Sequence, residues 1–164
     1  MLGQAARCLG HYRQATALQE QSVALFRELQ DAGAVSSVLG NLSDVARDAG
    51  DARSARRWYR EAWRNEQDLG DKRKVASFLE GIAAATALDG NGRLAFGYLG
   101  AATSLREEIG SPLPPAEQTI LTGILTPVLG ALSNEEQPDA LATGRSRPLA
   151  DVVADALGER DADH

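Results

Sequence analysis

A single cysteine, Cys8, in 164 residues excludes an intramolecular disulfide framework and any zinc site built on several thiolates. Only two histidines occur, His11 and His164, far apart and without a carboxylate cluster. They read as a turn residue and a tail residue, so no metal ion and no histidine acid–base pair is expected. No run of about 18 apolar residues is present to cross a bilayer as a helix. Met1 to Gly10 lacks the basic stretch and apolar core of a signal peptide, so a cytoplasmic location is expected. The net charge of −6 argues against general nucleic-acid binding by the whole chain. No basic recognition helix is evident at either end, so direct DNA binding is not expected. There is no G-x-x-x-x-G-K-[ST] and no G-x-S-x-G. Gly90-Asn91-Gly92 lies in a repeat turn and lacks the strand that a phosphate loop requires. Neither an enzyme nor a cofactor-binding protein is expected from these residues.

What the chain does have is a period of 40 residues. Gly10, Gly50 and Gly90 coincide, as do Ala15, Ala55 and Ala95 five positions later. Leu18, Trp58 and Tyr98 follow, then Ser22, Ala62 and Ala102, then Leu29, Leu69 and Ile109. Val35 and Leu39 match Val75 and Leu79. Matches of residue class at helical spacing over most of a period mark a helical repeat. Each unit reads as two helices. In the second unit, Val35, Val38, Leu39, Leu42, Val45 and Ala46 recur at three and four residues, an amphipathic helix. Gly50-Asp51 ends it, glycine accepting the left-handed cap and aspartate opening the next helix. Ala55, Trp58, Tyr59, Ala62, Glu66 and Leu69 carry that second helix. Small residues flanking a large ring are what antiparallel helices need to interdigitate. The third unit repeats the pattern from Val75 to Leu88 and from Arg93 to Ile109.

The order Leu39, Leu42, Ser43, Ala46, Gly50-Asp51, Ala55, Tyr59, Ala62 resembles the tetratricopeptide repeat, as does Leu79, Ile82, Ala83, Thr86, Gly90, Ala95, Leu99, Ala102. The usual period is about 34 residues. The 40-residue form is similar to the variant in large bacterial signalling ATPases (NB-ARC-like) and Lux-type transcriptional regulators. Two departures stand out: the proline that often ends a repeat is missing, and Gln19 replaces an aromatic in the first unit. The resemblance continues past the repeats. Tyr98-Leu99-Gly100-Ala101-Ala102, Leu105-Arg106 and Gly110-Ser111-Pro112-Leu113-Pro114-Pro115-Ala116-Glu117 resemble the final repeat and linker of those regulators. Gly144-Arg145 and the close Leu149, Val152, Val153, Ala156, Leu157 fit as well, whereas Gln137 and Leu141 stand where the family has aromatics.

The fold expected is therefore all-α, an antiparallel helix-pair solenoid of tetratricopeptide type with a C-terminal helical cap. Residues 1–110 should hold the repeats, the first of them truncated, residues 111–158 the capping helices, and residues 159–164 a disordered tail. In the cap, Pro115 suits a first helical turn. A helix is expected to about Leu132 with Ile120, Leu121, Ile124, Leu125, Val128, Leu129 and Leu132 as its apolar face, kinked or broken at Pro127. Ser133 to Glu136 should open a short helix reaching Gly144, and Pro148 a last one with Leu149, Val152, Val153 and Leu157 inward. Aligned on the period, only Leu2 to Leu9 remains of the first helix. The chain thus reads as the C-terminal piece of a longer array or a short gene derived from one, the alternative being that Met1 to Leu9 is a short cap.

The resemblance implies a non-catalytic interaction or sensor module that receives a protein, a peptide or another domain of the same regulator. The alternatives are self-association through the open first repeat, and a stand-alone repeat adaptor that binds an acidic partner through the Arg53–Arg64 stripe. Register places Gln4, Arg7, Ser37, Asp44, Arg47, Asp48, Ser77 and Glu80 on the concave face of such a solenoid, where extended peptides bind; the same residues also fit an ordinary soluble surface. Arg53, Arg57, Arg60 and Arg64 form one helical stripe, with Lys72, Arg73 and Lys74 after it. The stripe reads either as a docking face for an acidic partner or as a solvated face with Glu61 and Asp68 as counter-charges. Cys8, beside Leu9, reads as a packed or partly exposed thiol.

Overall fold

Five helices follow one another with the 40-residue spacing written into their ends. In the computed structural model, which describes residues 10–66 and 71–158, these are α1 (Tyr12–Glu28), α2 (Ala32–Asp48), α3 (Ala52–Glu66), α4 (Lys72–Leu88) and α5 (Gly92–Glu108). Three more complete the chain: α6 (Pro115–Leu129), α7 (Glu136–Ser146) and α8 (Leu149–Leu157). Among the described residues there is no strand, and no helix is long and apolar enough to cross a membrane.

The turns explain the regularity. After α2, Gly50 takes φ +78°; its N–H bonds the Arg47 carbonyl at 2.9 Å and the Asp51 N–H bonds that of Ala46 at 2.8 Å. That pair of bonds is the Schellman closure, and it needs a residue that tolerates a left-handed backbone. Gly90 repeats it at φ +80°. The side chain that follows each glycine caps the next helix: Asp51 accepts from the Ser54 N–H and Asn91 from the Leu94 N–H. The same closure ends α1 at Gln30 (φ +56°) and α5 at Gly110 (φ +61°). Gln30 is the one non-glycine among the described residues with positive φ. Turns this short leave consecutive helices antiparallel and in contact.

By packing, the chain divides into two units, Met1–Gln67 and Asp68–His164. In the first, α2 lies against both α1 and α3. Val23, Val35, Val38, Leu39 and Leu42 form its core, with Phe26, Trp58 and Ala62 at the edge. Ala15 and Val45 make a smaller cluster under Tyr12. Every member of the expected α2 face is buried, and Leu39 is fully so; burying a leucine contributes about 1.5–3 kcal/mol. Ala15, Ala55 and Ala95 are all fully buried, one per repeat.

In the second unit α5 packs on α4 along one side and on α7 along the other, while α6 lies chiefly along α4. Ala87, Ala95, Phe96, Leu125, Val128 and Ala140 form the core. The expected face of α6 is only partly covered: Leu125 and Val128 are buried, and Ile120, Leu121, Ile124 and Leu129 half-buried. The helix passes through Pro127 and stops at Leu129, short of Leu132. Gly130 and two tight bonds, Ala131 N–H to Val128 and Leu132 N–H to Leu129, end it there. At the start of α7, Ser133 Oγ accepts from the Glu136 N–H, and Glu136 accepts from the Ser133 N–H at 2.8 Å. This reciprocal capping box satisfies two donors at once. The α7 helix runs to Ser146, two residues beyond the expected end. In α8, Val152, Val153, Ala156 and Leu157 are buried and Leu149 is half-buried. The first helix expected from Leu2 to Leu9, Cys8, the expected counter-charge Asp68, Leu69 of the expected second helix, and the tail 159–164 with His164 lie outside the described residues.

Glycine sets how closely α7 approaches α5. A Cβ added at Gly144 would fall 1.8 Å from the Gly97 carbonyl oxygen, and one at Gly100 would fall 2.2 Å from that of Leu141. Backbone thus touches backbone at this crossing. Gln137, which stands where the resembled family has an aromatic, donates its side-chain N–H to the Leu129 carbonyl at 3.0 Å and so covers the open end of α6.

Candidate functional site

Polar side chains inside helix pairs must be matched, because an unpaired group buried there costs about 1–3 kcal/mol. The first unit meets this demand with four residues. Asp44, Arg47 and Asp48 occupy one turn of α2, and Tyr59 faces them from α3. The Tyr59 hydroxyl donates to Asp44 Oδ1 at 2.7 Å, and Arg47 Nη1 lies 3.1 Å from the same oxygen. Arg47 Nε donates to Asp48 Oδ1 at 3.0 Å, and Nη1 donates to the Tyr59 oxygen at 3.4 Å. Arg47 Nη2 is 2.9 Å from Asp48 Oδ1 but out of line for a hydrogen bond, so the pair is held by charge at that atom. Burial, reinforced by the Asp44 carboxylate, pushes the Tyr59 phenol well above its ordinary value. Burial works against the Arg47 charge, but Tyr59, Asp44 and Asp48 outweigh it and raise the guanidinium pKa.

Three residues expected on a concave groove are therefore engaged within the first unit. Arg47 is only 7% exposed. Ser37 is exposed, while Gln4 and Arg7 lie outside the described residues. The basic stripe divides by exposure: Arg53, Arg57 and Arg64 are exposed and Arg60 is half-buried. Arg57 lies over the Trp58 ring, 4.0 Å from its centre, a stacking worth about 0.5–1 kcal/mol at an exposed site. Glu61, one of the counter-charges expected for the stripe, bonds Arg27 of α1.

The second unit brings Ser77 and Glu80 together on one partner, Arg106. Arg106 of α5 donates Nε to Glu80 Oε1 and Nη2 to Glu80 Oε2, each at 2.9 Å, and Nη2 also donates to Ser77 Oγ at 3.0 Å. Both charged side chains are about a tenth exposed. The hydrogen bonds to Glu80 raise the Arg106 pKa. A second two-pronged pair joins α5 to α7, Arg145 bonding both oxygens of Glu107 at 2.8 Å. Those bonds hold the Glu107 carboxyl below its ordinary value. The hairpin register could have found Tyr59 and Arg106. Antiparallel helices mirror about the turn, which sets Tyr59 opposite Asp44 and Arg106 opposite Ser77 and Glu80.

Beside Arg106 opens a cavity of about 490 Å³. Leu99 and Thr103 of α5 form one wall, Leu121 and Leu125 of α6 another, and Pro112 and Leu113 of the linker the rim. Nothing in the local sequence announces it, since it arises where α6, lying along α4, stands off α5. No group of three or more His, Cys, Asp or Glu side chains among the described residues could hold a metal ion. Comparison with known proteins finds no match: no family model, no curated protein and no solved structure is similar to this chain.

Proposed function

We propose that the chain is a non-catalytic interaction module built from tetratricopeptide-like helix pairs, the C-terminal repeat part of a bacterial signalling ATPase or Lux-type transcriptional regulator. One observation carries this reading: the 40-residue recurrence of helix ends, left-handed glycine turns and fully buried alanines through Ala15, Ala55 and Ala95. Repeats of this kind expose a series of first helices, and a curved series presents many side chains to one extended partner. Asp44, Arg47 and Asp48 are tied up with Tyr59. Ser77 of α4 accepts from Arg106, and Ser37 of α2, which is exposed, remains as the contact point of the expected groove. The partner is a protein or peptide, or another domain of the same regulator. A random-peptide display selection tests this. Enriched peptides should bind the wild type and lose at least tenfold in affinity to a Ser37→Trp variant. Peptides that bind both proteins equally would refute the groove.

Self-association is the second reading. It is favoured by Leu25 and Leu29 of α1, which are 54% and 64% exposed. Apolar side chains paired this way at a helix end fit a contact with another copy. Light scattering across concentration decides: a constant monomer mass removes this reading, and a mass that falls on Leu25→Glu supports it.

A further inference from the structure

We propose that the cavity between α5, α6 and the Gly110–Pro115 linker binds a neutral, largely apolar small molecule that offers one acceptor oxygen. Its volume, about 490 Å³, lies within the ~300–1,000 Å³ typical of small-molecule sites. Leu99, Leu113, Leu121, Leu125 and Pro112 supply an apolar lining. The rim is stiffened by Pro112, Pro114 and Pro115, so little chain entropy is lost when a ligand enters.

Charge selects the class of ligand. Glu80, Arg106 and Glu107 are the charged residues of the lining. Each is already matched: Glu80 by both prongs of Arg106, and Glu107 by both prongs of Arg145. The lining itself sums to one negative charge. An anion would meet that field or have to separate Arg106 from Glu80. Separating Arg106 from Glu80, each about a tenth exposed, leaves a partly desolvated charge without its partner, which is strongly unfavourable. A cation would compete with Arg145, which already holds both oxygens of Glu107. A neutral ligand disturbs neither pair. Arg106 uses Nε and Nη2 on Glu80 and Ser77, and its Nη1 makes no hydrogen bond among the described residues. That N–H is available to a carbonyl or hydroxyl oxygen. The Thr103 hydroxyl, which donates to the Leu99 carbonyl at 2.8 Å, keeps its lone pairs for a ligand O–H. The site stands whether or not the helix pairs also bind a peptide.

Two fluorescent probes with the same rings test the proposal on the full chain: phenylnaphthylamine, which is neutral, and anilinonaphthalene sulfonate, which is anionic. The neutral probe should bind saturably at one site per chain and at least tenfold more tightly than the sulfonate. Thr122→Trp and Gln118→Trp, both at exposed lining positions of α6, should each weaken it at least tenfold with unchanged helical circular dichroism. Non-saturable binding, equal binding by folded tryptophan variants, or a sulfonate that binds as tightly as the neutral probe would each overturn the proposal. The comparison of the two probes on the wild type decides the charge class even where a variant fails to fold.

Discussion

Replacing Gly144 with alanine would place a methyl carbon 1.8 Å from the Gly97 carbonyl oxygen, 2.7 Å from its carbon and 3.0 Å from its Cα. All three atoms are backbone, so no side chain can swing aside. Restoring an ordinary contact of 3.4 Å means that α7 retreats from α5 by about 1.6 Å. A gap of even ~0.5–1 Å forfeits a quarter to a half of the dispersion energy across a seam. Overpacking of a core commonly costs about 1–3 kcal/mol, and a clash against fixed backbone belongs at or beyond the upper end. Alanine returns about 1 kcal/mol through its better helix propensity. The net loss expected is about 2–4 kcal/mol, or a fall in Tm of roughly 5–15 °C for a chain of this size. The assay is thermal and urea unfolding followed by far-ultraviolet circular dichroism. Trp58 and Trp63 both lie in the first unit, so their fluorescence serves as the internal reference. Gly97→Ala and Gly123→Ala are the controls, because a Cβ at either meets nothing within 4 Å. Both should be neutral or stabilising by up to about 1 kcal/mol. A Gly144→Ala protein within about 0.5 kcal/mol of wild type, or a Gly97→Ala protein equally damaged, would refute the reasoning.

Three further outcomes are expected. Gln30→Gly should raise stability by about 0.5–1 kcal/mol, because glutamine there holds φ +56° where the equivalent turn after α5 has Gly110; a melt that moves down instead would contradict the strain. Tyr59→Phe should cost about 2 kcal/mol through the lost bond to Asp44. The raised Tyr59 pKa also means that its stabilisation is full below the ordinary phenol value of 10.0 and is lost as pH rises through the folded value. The phenylalanine variant should therefore show a flatter alkaline limb in urea unfolding. Glu107, with its carboxyl held low by Arg145, stabilises above the ordinary glutamate value of 4.5 and loses that contribution as pH falls through its folded value. Glu107→Gln should flatten the acid limb between pH 5 and about 3, and an unchanged limb would show that the pair contributes nothing.

The helix ends were legible because each is decided within a few residues. Gly50, Asp51, Gly90 and Asn91 carry the turn and the cap in their own backbone and side chains, and the apolar face of α2 follows from spacing alone. The α6 end, the α7 approach and the cavity were not legible, for different reasons. Leu132 belongs to the apolar pattern of α6, yet Gly130 stops the helix first. Gly100 and Gly144 announce nothing in a pattern of side chains, since their role is to have none. The cavity depends on how far α6 stands from α5, which no local preference encodes. Among the site residues, Asp44, Arg47, Asp48, Ser77 and Glu80 were placed by register on one side of the first helices. Polarity alone did not reveal that Tyr59 and Arg106 answer them from the opposite helix.

The fastening of α6 has a mechanical consequence. At its C-terminal end Val128 sits 3.3 Å from where a Gly92 side chain would begin, and Gln137 holds the Leu129 carbonyl. At its other end Pro114 and Pro115 are exposed. These two contacts lie about 20 Å from Pro115 at 1.5 Å per residue. A rotation of roughly 5° about that end would move Pro115 by roughly 1.7 Å over such an arm. The residues between, Gln118, Leu121, Thr122 and Leu125, line the cavity, so its width would respond most at the linker and least near Val128.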